Sequence, residues 1–211
     1  MPRYDAAAGM RMFIAFLAVA LALFYALRLV LDGSPLARSI FVLALCVAFV
    51  VVHRWFVRLP FTAIGLRDWR DWSRRERLYL LQVVPLAGVA FALIFQAHLR
   101  ELLERHGAGG FVVYSLLTGL AWGAVQELLY RGWLQTELTR RLGGIAGLLL
   151  ANVVFTFGPL HMNYLTAAGG PQWGMLGAVF GIGLLFGLVF LRSGNLWIPA
   201  VLHGLWPLNM S

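Results

Sequence analysis

The chain reads as an all-α polytopic membrane protein, about seven transmembrane helices enclosing a polar cavity. Three observations predict that class. Of its 211 residues 61% are hydrophobic and 12% charged, with a mean hydropathy of +0.79, too apolar for a water-soluble globule of this size. Apolar runs of spanning length recur near 10–31, 38–57, 78–99, 111–136, 145–167, 173–192 and, shorter, 195–207. Glu127 and Arg131 interrupt the fourth run, where each charge costs several kcal/mol unless something inside the bundle receives it.

Taken in order, the elements have consistent flanks. Arg3 and Arg11 precede or open the first run, and Arg54, Arg58, Arg67, Arg70, Arg74, Arg75 and Arg77 fill the connection between the second and third. By the positive-inside rule both lie in the cytoplasm, and an odd number of spans then puts the C-terminus outside. The first run is long enough to span and lacks a small-residue cleavage site, so no cleavable signal peptide is expected. Residues 60–77 do not span. Trp69 and Trp72 among Arg and Asp predict a segment lying in the headgroup region, rings toward lipid and cations toward water. The net charge of +8 clusters beside the spans, which excludes nucleic acid as a partner and leaves the lipid bilayer. All 17 cations are Arg, and with the compact length this suggests a bacterial inner membrane. No repeat or linker divides the chain, so residues 1–211 form one domain. The single Cys46 lies in an apolar run and reads as a small buried hydrophobe, with no disulfide or CxxC motif available. Gly119 and Gly123, Gly177 and Gly181, and Gly183 and Gly187 have the spacing of close helix contacts. Pro159 breaks the fifth run two residues before His161 and frees a backbone carbonyl, tolerable only where something re-satisfies it.

The ionisable residues converge. Glu127 and Arg131 are four apart and stack on one helix face. Arg140, Arg141, Gly143 and Gly144 make an interfacial turn. Glu127 precedes it and His161 follows it by nearly equal counts, so both return to about 24 Å from the turn. His203 lies about 13 Å along the last run from the Arg192–Gly194 turn, a mismatch that tilt or a protruding hairpin would absorb. One carboxylate, two imidazoles and a guanidinium around one cavity can activate water, because burial favours a carboxyl's neutral form and suits it as a base near neutral pH. The same Glu127, His161 and His203 are a zinc-competent set, although the spacing lacks the HExxH pattern. Glu127 with Arg131 can also be a purely structural pair. His53, His98 and His106 flank spans or occupy loops and read as structural.

These motifs resemble the CAAX protease and bacteriocin-processing family (CPBP, also called ABI), a group of intramembrane endopeptidases. Gln126-Glu127-Leu128-Leu129-Tyr130-Arg131 matches its Glu-Glu-x-x-x-Arg motif. Phe157-Gly158-Pro159-Leu160-His161 matches its Phe-x-x-x-His. The run from Phe186 through Arg192-Ser193-Gly194-Asn195-Leu196-Trp197-Ile198-Pro199 to His203 matches its third region. The likeness covers about residues 111–205. It departs from the family at two points. The family's first Glu, which the resemblance would make the water-activating base, is Gln126 here, and an amide cannot take that proton. Either Glu127 serves as base, or the chain is a non-catalytic homologue, or the carboxylate has been exchanged for its isostere to hold an inactive state. Where the family has Asn or Asp four residues after the last His, this chain has Pro207, with Asn209 two further on.

The resemblance implies hydrolysis of a peptide bond near the membrane-associated end of a polypeptide substrate. Gln126, Glu127, Arg131, His161, His203 and Asn209 are the candidate catalytic residues, and no cofactor is expected beyond the zinc alternative. Glu127 and His161 would assist water, Arg131 would hold the carboxylate, and His203 and Asn209 would stabilise the oxyanion. Trimming of a sorting tail or maturation of a peptide fits a bacterial setting better than a prenylated substrate. Two other classes stay open: a non-enzymatic membrane scaffold or immunity protein binding a peptide in the same cavity, and a small proton-linked transporter, against which the absence of an inverted repeat argues.

Overall fold

The computed structural model describes residues 6–30 and 34–205 and is all-helical over them. Ten α-helices run in chain order: α1 Ala6–Val30, α2 Pro35–Val52, α3 Arg74–Ile94, α4 Gln96–Gly110, α5 Thr118–Glu127, α6 Thr136–Leu142, α7 Gly144–Phe157, α8 Met162–Leu165, α9 Trp173–Ser193 and α10 Trp197–Gly204. Wider π-helical turns extend α2 over His53–Val57, precede α5 over Phe111–Leu117 and join α5 to α6 over Leu128–Gln135.

Local signals explain the boundaries. Ser34 caps α2, accepting from the amide of Ala37 at 3.2 Å, and Pro35 occupies the first turn, where its missing N–H costs nothing. Ser73 and Glu76 close a reciprocal capping box at the start of α3. Gly194 ends α9 at φ 63°, a left-handed conformation that disfavours a side chain.

Among the described residues, five helices are long and apolar enough to cross a membrane, and a sixth crossing results if the pair 96–114 and 118–142, bent by 47°, is one span. Seven crossings are therefore not found among the described residues. The run at 195–207 was counted because it is apolar, but α10 has eight residues, about 12 Å of helix, too short to span. Its Ile198 and Leu202 are fully buried against protein rather than lipid, a distinction that hydropathy cannot make. The third run also ends early, at Ile94, and α4 is a separate polar helix with Arg100, Glu101, Glu104 and Arg105 exposed.

The helix carrying residues 118–142 is the axis of the fold. Its Trp122, Val125, Leu129, Tyr130, Trp133 and Leu134 pack with Met12, Phe16 and Leu23 of α1, Val42 and Phe49 of α2, and Ala151 and Phe155 of α7. A second cluster joins Trp72 to Phe186 and Val189 of α9 and Ile198 and Leu202 of α10, with α3 leaning on it through Tyr79, Leu80 and Val83. Trp72 thus packs into the protein, not into lipid as the headgroup reading held. Trp69 is exposed, with the Arg77 guanidinium 5.5 Å from its ring centre. Lipid tails are as apolar as Leu, so close packing and polar contacts between helices hold this bundle together rather than withdrawal from water.

The glycine pairs divide accordingly. Gly119 and Gly123 lie directly on Gly204 of α10, and a Cβ at Gly123 would overlap its backbone. Gly183 and Gly187 admit Asn152 and Phe155, and Leu148 and Gln135, respectively. Gly177 and Gly181 meet nothing within 4 Å, so the contact expected of that pair is not made among the described residues.

Candidate active site

Glu127 sits at the junction of α5 with the π-helical stretch, a kind of irregularity that frequently marks functional positions. Its side chain is fully buried. One carboxylate oxygen, Oε1, accepts from Nδ1 of His203 at 2.7 Å and lies 3.1 Å from Nη1 of Arg131. Arg131 continues the chain of contacts. Its Nη2 donates to the carbonyl of Gly183 at 2.7 Å, and its guanidinium stands over the Phe155 ring, 4.3 Å from the centre. Gln135 reaches the Gly187 carbonyl at 2.9 Å and Asn152 that of Phe180 at 3.0 Å, so three polar side chains tie α9 to the axis and to α7.

The depth mismatch between Glu127 and His203 is closed by where α10 begins. Gly132 abuts Leu196 and Ile64. Five residues back from Gly132 to Glu127 and seven forward from Leu196 to His203 then bring the two side chains level. Counting from the Gly143 turn overestimated the offset, because α10 starts alongside Gly132.

His161 packs edge-on against Phe155. The helix α7 stops at Phe157, Gly158 is extended, and a short 3₁₀ turn carries Pro159–His161. Pro159 has no N–H to give the Phe155 carbonyl four residues earlier, and Nδ1 of His161 takes its place at 2.8 Å. A carbonyl only accepts, so in the neutral ring Nδ1 holds the proton and Nε2 the lone pair. The Phe155 ring is the hub of the site: edge-on to His161 at 4.8 Å between centroids, to Tyr130 at 5.0 Å and to His203 at 5.9 Å.

Of the candidates, the structure joins Glu127, Arg131 and His203 directly and sets His161 against the same aromatic ring. Gln126, adjacent to Glu127 in the chain, is buried, and its Oε1, like Glu127 Oε2, has no hydrogen-bond partner among the described residues. Asn209 and Pro207 lie outside the described residues. Among the described residues, no three His, Cys, Asp or Glu side chains are grouped so as to hold a metal ion together. Phe155, Gln135 and Asn152 were missed by sequence reasoning. The motif residue Phe157 is 38% exposed at the end of α7, and the ring that matters lies two positions earlier. The one available signal was the Gly183 and Gly187 pair, which marked where α9 would be approached closely. His53, set aside as structural, is fully buried and accepts from the Trp133 indole at 3.1 Å.

The site thus gathers a guanidinium and two imidazoles around one buried ring, with a buried carboxylate held by the guanidinium and one of the imidazoles. Residues 108–208, a little under half of the chain, match the family model described as Rce1-like, type II CAAX prenyl endopeptidase, so over this region the chain is similar to that family. The chain is also 28% identical over 128 residues to the uncharacterized protein YpbD of Bacillus subtilis (strain 168), covering 57% of this chain and 58% of that protein. No solved structure matches significantly.

Proposed function

We propose that this chain is an intramembrane endopeptidase that uses Glu127 as its base and cuts a polypeptide near its membrane-associated end. The observation that carries the reading is the division of labour within one buried carboxylate: Oε1 is held by His203 and Arg131, while Oε2 has no partner among the described residues. A water between Oε2 and Nε2 of His161 would lose a proton to the carboxylate as its oxygen attacks the scissile carbonyl carbon. Glu127 then returns that proton to the leaving amine as the C–N bond breaks, releasing a carboxylic acid and an amine. His203 and Asn209 are assigned the oxyanion, as the family resemblance implies, His203 acting as an imidazolium that donates through Nδ1 to Glu127 and through Nε2 to the oxyanion. No step calls for a metal. The protein sits in a bacterial inner membrane with its N-terminus in the cytoplasm, and its substrate is a sorting tail or a precursor peptide.

Gln126 supports a second reading, a scaffold or immunity protein that binds a peptide without cutting it, because the position that carries the family's first carboxylate is an amide here. The two readings part in one comparison. Purified protein and Gln126→Glu are presented with a panel of fluorogenic membrane-inserted peptides, and binding and cleavage are followed separately. The endopeptidase reading expects the unaltered chain to cut at least one peptide. Binding without cleavage by both proteins supports the scaffold and overturns the endopeptidase.

A further inference from the structure

The chemistry above makes no use of Glu76, yet its carboxylate is 2% exposed and bonded to a residue 119 positions away. Oε1 accepts from Asn195 Nδ2 at 3.1 Å and from Arg67 Nη1 at 3.3 Å, and Oε2 accepts from the amide of Ser73 at 2.7 Å. Asn195 is fully buried, and its other amide atom, Oδ1, accepts from the backbone of Trp197 at 3.0 Å, capping α10. Around this pair the 60–77 connection grips the start of α10 at further points: Leu196 donates to the Gly65 carbonyl at 2.9 Å and the Trp197 indole to the Arg67 carbonyl at 3.2 Å. At its other end α10 meets α5 glycine on glycine, Gly204 against Gly119 and Gly123. Such a face permits close approach, with the Leu120 side chain beside Gly204. Ile198 and Leu202 add apolar packing against α9 and α3, the hydrogen bonds at the start of α10 add a directional constraint on its register, and His203 is one residue from the glycine contact.

We propose that Glu76 and Asn195 form a latch between the 60–77 connection and α10, and that it positions His203 against Glu127. The proposal rests on reading the Glu127 cluster as the catalytic centre. Both latch residues are positioning residues, since neither touches the reacting atoms.

The test uses the full chain in lipid vesicles. Asn195→Ser keeps an oxygen for the Trp197 amide but is too short to reach Glu76. The double variant Glu76→Gln with Asn195→Asp exchanges the amide and the carboxylate and preserves the bond. Two readouts are taken: peptide hydrolysis, and the deshielded Nδ1 proton of His203 in protein labelled at the histidine ring nitrogens. Asn195→Ser is expected to lower kcat about tenfold, with KM changed less than about twofold, and to lose the His203 resonance. The double variant is expected to recover both. Unchanged kcat and resonance in Asn195→Ser would overturn the latch, as would a folded double variant that recovers neither. If Asn195→Ser does not fold, the double variant decides alone, retention of the resonance supporting the latch. If the unaltered chain cuts no peptide, the endopeptidase reading fails on its own, and the His203 resonance across the variants still decides the latch.

Discussion

At the scale of single residues, the least expected assignment is that of His161. The imidazole completes the hydrogen bonding that Pro159 leaves undone, and this fixes both its tautomer and its orientation beside Phe155. Pro159→Ala restores a backbone donor for the Phe155 carbonyl and sets it in competition with Nδ1. The variant is expected to be as stable as the parent or more so, by about 0.5–1.5 kcal/mol, and to hydrolyse peptide more slowly because His161 is released. Denaturation and rate measurements on the same preparation check this, and an unchanged rate would separate the proline from the site. The sequence showed the freed carbonyl and the adjacent histidine but not their bond, because which group re-satisfies a helix break depends on loop geometry. Phe155 was invisible for a related reason: one aromatic in an apolar helix carries no sign of becoming a hub.

At the scale of elements, hydropathy located α1, α2, α3, α7 and α9 well and failed at α10. An apolar window records what a helix avoids, and the core of a bundle and the lipid around it look alike. The glycine spacings were legible as contacts in general, and only the structure sorts those with a partner from those without. That sorting predicts a contrast. Gly123→Ala pushes a methyl into the Gly204 backbone and should cost about 1–3 kcal/mol. By displacing α10 it should also abolish hydrolysis. Gly177→Ala meets open space and should change neither by more than about 0.5 kcal/mol. Comparable losses in both would show that α9 has a partner on its open face; comparable indifference would show that the α5–α10 contact is not tight.

At the scale of the whole molecule, the arginines follow the topology. Taking the bent helix pair as a sixth crossing would put residues 60–77, the 143 turn and the Gly194 turn on the same side as the start of α1, with α4, the first limb of that pair, entering from the other. Arg54, Arg58, Arg67, Arg70, Arg74, Arg75, Arg77, Arg140, Arg141 and Arg192 gather on the first side, while α4 carries Glu101 and Glu104 beside Arg100 and Arg105. The arginine-rich side is expected to be cytoplasmic. In a Cys46→Ala background, a cysteine placed at Arg70 should resist a membrane-impermeant maleimide in intact cells and one placed at Glu104 should react; the reverse pattern would invert the molecule. What the sequence could not supply was the pairing of Glu127 with His203, since it depends on the level at which α10 starts. That pairing is also where the functional account is most exposed. The direct measurement is cleavage of a membrane-tethered peptide in water enriched in heavy oxygen, comparing the chain with Glu127→Gln. The account predicts that the new carboxyl terminus takes up one heavy oxygen and that Glu127→Gln cuts at least about a hundredfold more slowly while still folding and binding peptide. Equal cleavage by a folded Glu127→Gln would contradict it.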